Sequence, residues 1–90
     1  MTRYKGRASA KSIARDFPFT VEITVPEFGL GKRIDPMYAF HAQRGIQVQR
    51  GPGRREGERD IIRWCFLDPA IAQAFALEFD GTLILPPTIL

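Results

Sequence analysis

Cysteine, histidine and tryptophan each occur once in the 90 residues, at Cys65, His41 and Trp64. A lone cysteine excludes an intramolecular disulfide and any multi-cysteine zinc cage, so the apolar core has to carry the fold. A lone histidine cannot build a metal site with other imidazoles, and no metal or cofactor is expected. No apolar run approaches the roughly 18 to 20 residues that cross a bilayer, and the basic N-terminus has no apolar segment of the secretory kind. The expectation is a soluble cytoplasmic chain with no membrane partner. Also missing are a glycine-rich phosphate loop, a metalloprotease helix motif and any paired-carboxylate spacing. No catalytic residue is assigned, and the chain reads as a non-enzyme.

What is present is 44% hydrophobic and 26% charged residues, the balance of one small domain with one core. The formal charge of +3 is unevenly placed. Residues 1–15 carry Arg3, Lys5, Arg7, Lys11 and Arg15 and no acid, and residues 50–59 carry Arg50, Arg54, Arg55 and Arg59 against Glu56 and Glu58. The rest of the chain is mildly acidic, so two basic appendages are attached to an acidic body. The first fifteen residues have only Tyr4 and Ile13 as bulky apolar groups, too few to offset the entropy of ordering, and are expected as a flexible tail before a domain over 16–90.

Phe17, Phe19, Val21, Ile23 and Val25 alternate with Thr20, Glu22 and Thr24, the pattern of a half-buried strand stopped by Pro26. Residues 27–34 read as a loop. Asp35-Pro36 then supplies a capping oxygen and a proline suited to the first helical position, and the helix is expected to run to about Arg44 with Gly45 beyond it. Residues 46–50 alternate again. The glycines at 51 and 53 turn the chain into a long basic hairpin loop over 50–59, and Ile61 to Leu67 is a third strand. Asp68-Pro69 repeats the cap signal for a helix closed by Gly81, and residues 82–85 form a last strand before Pro86-Pro87. The order β-α-β-β-α-β predicts an α+β, ferredoxin-like fold, a four-stranded antiparallel sheet with two helices on one face.

Guanidinium forks at Arg50, Arg54, Arg55 and Arg59, joined by Arg3, Lys5 and Arg7 of the tail, suit phosphate oxygens and make a weak nucleic-acid or polyanion interface one reading. Glu56 and Glu58 cancel half of the loop's charge, and a solvated loop explains the same residues. RNA-recognition domains carry stacking aromatics on the third strand, but Asp60, Ile61 and Arg63 stand where the glycine and the two aromatics belong. Trp64 and Phe66 have the other parity and, with Ile62, should face the helices beside Phe19, Val21 and Ile23. An enzyme or ligand site built on Tyr38, His41 and Cys65 ranks last, since no acid or second ligand accompanies the histidine. The second helix is apolar on both sides. Ile71, Phe75 and Phe79 recur at helical spacing, while Ala70, Ala72, Ala74, Ala76 and Leu77 make the remainder apolar too. With the uncharged end of the chain this points to Leu77, Leu83, Ile84 and Leu85 as an interface.

Trp64-x-Phe66 followed by Asp68-Pro69, Ala72, Phe75, Phe79 and Gly81 resembles the strand-helix ending of small uncharacterised bacterial α+β proteins. These are core and capping positions, so the resemblance implies a fold and no activity. The function expected from the sequence is a non-enzymatic interaction module that self-associates as a homodimer or binds another protein.

Overall fold

The computed structural model describes residues 10–85. It contains α1 (Ala10–Asp16), β1 (Phe19–Thr24), a 3-10 turn at Gly31–Arg33, α2 (Ile34–Gln43), β2 (Arg54–Glu56), β3 (Arg59–Phe66), α3 (Pro69–Phe79) and β4 (Thr82–Ile84). The strands form one four-stranded sheet in the order β2-β3-β1-β4. Every neighbouring pair is antiparallel. Two long connections, one through α2 and one through α3, each step over a strand to reach the far side of the pair they leave.

The alternation in the sequence decides the faces. Val21 lies opposite Trp64 and Phe19 opposite Phe66, so these side chains share the face that α2 and α3 cover. Met37 and Phe40 of α2 and Ala72, Phe75 and Ala76 of α3 complete the core. The other face carries Thr20, Glu22 and Thr24 across from Cys65, Arg63 and Ile61.

Asp68 performs the capping that its sequence position implies. Its carboxylate accepts the Ala70 N–H at 2.8 Å, with Pro69 at the start of α3. The other end of α3 corrects the expectation, because the left-handed residue that closes the helix is Asp80, at φ 58°, and not Gly81. Gly81 is required for space instead: a Cβ there would lie 2.6 Å from Ile23 Cδ1 and 2.7 Å from Val21 Cγ1. Nor does Asp35 cap α2. The 3-10 turn leads directly into a helix that already starts at Ile34, which places Asp35 inside the first turn, where its negative charge still favours the N-terminal dipole.

Two further expectations change. The end of the supposed flexible tail is helical from Ala10 to Asp16, with Ser12, Ile13 and Ala14 half-buried, while residues 1–9 lie outside the described residues. The stretch 50–59 is also not a long loop. The turn of its hairpin is only Gly57-Glu58, between the paired Glu56 and Arg59, and Gly57 takes the positive φ of 63° that a two-residue hairpin turn needs at its first position. Arg54, Arg55 and Glu56 are therefore strand residues. Upstream, Arg50 bridges to Trp64, and the three residues 51–53 oppose only Ile62 and Arg63, a bulge that carries the edge past Pro52.

Candidate interaction surface

β2 and β4 are the two edges of the sheet, and the sequence treats them differently. The β2 edge is Arg54-Arg55-Glu56, entirely charged and preceded by the bulge, features that oppose pairing with another chain. The β4 edge, Thr82-Leu83-Ile84 continued by Leu85, carries no charge. Beside it Leu77 projects from α3 with 77% of its surface exposed, and Leu85 is 62% exposed. Ile84, opposite Thr20, stands on the far face of the sheet and is also exposed, whereas Leu83, opposite Val21, packs against the core. A shallow groove lined by Gln73, Ala76, Leu77 and Leu83, with Asp80 and Gly81 at the end of α3, runs between α3 and this edge. Of the four interface residues read from sequence, three are thus free to meet a partner, and Leu83 floors the groove.

The apolar second side of α3 is smaller than its composition suggests. Ala72 and Ala76 are buried, because their missing side-chain volume lets the helix lie close on the sheet. Only Pro69 and Ala70 at its start and Gln73, Leu77 and Glu78 further along face outward as exposed residues.

Three of the four hairpin arginines are engaged within the chain. Arg54 makes a two-pronged contact with Glu22, Nε to Oε2 at 3.2 Å and Nη2 to Oε1 at 3.1 Å, and Arg63 Nε donates to the same carboxylate at 2.9 Å. The Arg54 hydrogen bond, and behind it that from Arg63, holds the Glu22 carboxyl below its ordinary range against the burial that raises it. Arg55 pairs with Asp60 at 3.0 Å. Arg50 lies over the Trp64 ring at 4.7 Å from its centroid, a cation–π contact. Arg59 is the hairpin arginine whose side chain has no such partner among the described residues. Arg3, Lys5 and Arg7 lie outside the described residues.

Tyr38, His41 and Cys65 are not brought together. His41 is buried on the helix side, its ring stacked on Phe66 at 5.3 Å and its Nδ1 2.8 Å from the Met37 carbonyl, so Nδ1–H donates there. Cys65 pairs with Thr20 and belongs to the opposite face, with its sulfur 3.8 Å from the Thr20 hydroxyl. Burial pushes its thiol up, which keeps it protonated and a poor nucleophile. The sheet itself stands between the imidazole and the thiol. Tyr38 sets its ring edge-on to Trp64 at 5.8 Å. Among the described residues no group of three acidic, histidine or cysteine side chains is placed to hold a metal, and no helix is long and apolar enough to cross a membrane.

Sequence reasoning passed over Phe28, 93% exposed at the tip of the loop after β1. Its signal was available in an aromatic set between Glu27 and Gly29. Comparison with protein-family models, with curated proteins and with solved structures finds no match.

Proposed function

We propose that the chain is a non-enzymatic protein-interaction module that self-associates as a homodimer through the β4 edge. The observation that carries this reading is the contrast between the two edges: charges and a bulge on β2, an uncharged strand flanked by exposed Leu77, Ile84 and Leu85 on β4. An isologous contact sets one patch against itself, and an uncharged edge does so with no like-charge cost. Main-chain groups on the outer side of β4 supply affinity by strand addition, and the groove between α3 and β4 takes the partner's side chains. A ferredoxin-like fold belongs to the same reading, supported by the two helical connections over one face, with α1 an addition. The resemblance of residues 64–81 to small uncharacterised bacterial proteins concerns positions that build the core and the α3 cap, and it bears on the fold alone. A reducing cytoplasm suits a protein whose single thiol is buried and protonated.

Sedimentation velocity on the full chain tests the assignment. The wild type is expected at twice the 10.2 kDa chain mass at high micromolar concentration, and Ile84→Lys, which places a charge on the edge without touching the helix-side core, is expected at the chain mass. A wild type that sediments as a monomer, or an Ile84→Lys protein that stays dimeric, overturns it.

A further inference from the structure

A second feature is independent of the sheet edge. Where the chain leaves α1 for β1, passes through 46–49, and turns from β3 into α3, the three stretches enclose a half-open cavity of about 260 Å³. Phe17, Ile46, Phe66 and Ile71 supply apolar walls, and the polar residues of the lining are Gln47, Gln49, Cys65 and Asp68. The cavity is assembled from segments far apart in sequence, so no local motif announces it.

Its size and lining define an occupant. An apolar cavity of ~150 Å³ accepts a benzene ring, so this one has room for a fused bicycle. Among the described residues no lysine, arginine or histidine lines it, and Arg63 and Arg50 act on the Cys65 thiol from outside the lining, so an anion meets no cation in the wall itself. The one acid, Asp68, is already held by the Ala70 N–H at 2.8 Å as the cap of α3 and offers little to a cation. The side-chain amides of Gln47 and Gln49 can both donate and accept hydrogen bonds.

We propose that this cavity is a binding site for a small, uncharged, planar bicyclic molecule with a hydrogen-bonding group at its edge. Ligand contact is with the end of β3 and the first turn of α3, so occupancy orders the junction on which the Asp68 cap sits. The site requires neither the β4 edge nor a second copy of the chain.

Amide proton–nitrogen spectra of the full labelled chain test it, with indole as the neutral probe and indole-3-carboxylate as its charged counterpart. Indole is expected to shift the amides of 46–49 and 65–71 in a saturable way with Kd on the order of 0.1 mM, and the carboxylate is expected to bind at least tenfold more weakly. Ile71→Trp fills the space and should abolish the indole shifts in a protein that still melts cooperatively. In the wild type, saturating indole should slow alkylation of Cys65 by iodoacetamide several-fold, a readout that decides the matter even if Ile71→Trp fails to fold. Absence of saturable shifts with indole, equal binding of the carboxylate, equal shifts in the filled variant, or unchanged Cys65 alkylation at an indole concentration that saturates the shifts would each overturn the proposal.

Discussion

His41 shows how one buried residue sets a pH limit on the fold. Its Nδ1–H is committed to the Met37 carbonyl, while Nε2 is buried with no hydrogen-bond partner among the described residues. A second proton must enter at Nε2, among Phe66, Trp64, Phe75 and Phe40, none of which carries charge. Burial therefore lowers the imidazole pKa below its ordinary 6.5, and the charge of Arg44 lowers it further, partly countered by the Met37 carbonyl. Because the folded value lies below the unfolded one, the unfolded chain binds more protons in acid. Stability is then complete above about pH 6.5 and declines as the pH falls below it, until the folded-state pKa is reached. Urea denaturation at a series of pH values is expected to show this decline, and His41→Phe to remove the part of it that sets in just below about pH 6.5. Gly81 is the other residue whose role is steric. A methyl group 2.6 Å from Ile23 Cδ1 and 3.0 Å from the Glu22 carbonyl oxygen forces β4 away from β1. Gly81→Ala is expected to cost about 1–3 kcal/mol in the same measurement, a figure that a neutral outcome would refute.

At the scale of elements, α3 is the best specified. A proline at its start, a side-chain cap and a left-handed Asp80 fix both ends, so its register on the sheet does not depend on packing alone. Asp68→Ala removes the acceptor for the Ala70 N–H and is expected to lower stability by about 1 kcal/mol, seen as a reduced urea midpoint with an unchanged slope. Helix α2 has no side-chain cap and rests on its core contacts. The β2–β3 hairpin holds its position through Glu22, since the Arg54 and Arg63 contacts tie it across β3 to β1. That tie weakens in acid. The Glu22 carboxyl is lowered in the fold, so the stability it contributes is present above its ordinary pKa of 4.5 and is lost as the pH falls through the folded value.

For the molecule as a whole, the core is an aromatic cluster centred on Phe75. Its ring lies 5.0 Å from Phe40, 5.3 Å from Trp64, 5.2 Å from Phe66 and 4.7 Å from Phe79, which joins α2, β3 and α3 in one contact set. Truncation to alanine opens a void that none of these elements can close without leaving the others. Phe75→Ala is expected to cost about 3–5 kcal/mol, a large part of the roughly 5–15 kcal/mol that holds a domain together. Its amide spectrum should lose dispersion or its urea midpoint should fall sharply. A midpoint near the wild type's would mean that the cluster is not the centre of the core.

Much of the architecture was legible in the sequence because the signals are local. Period-two alternation assigned Trp64, Phe66, Val21 and Ile23 to one face, and Asp68-Pro69 marked the start of α3, since both reflect backbone geometry within a few residues. The same kind of signal misplaced the hairpin turn, where Gly51 and Gly53 looked as turn-like as Gly57 and only the pairing with β3 selects among them. Tertiary structure alone decided that Arg54 meets Glu22, that His41 and Cys65 lie on opposite sides of the sheet, that Ala72 and Ala76 of α3 face inward and that a cavity opens beside Cys65. The physical reason is range: periodicity and capping act over one or two turns of chain, whereas those arrangements join side chains tens of residues apart and exist only once the strand register and the helix seats are fixed.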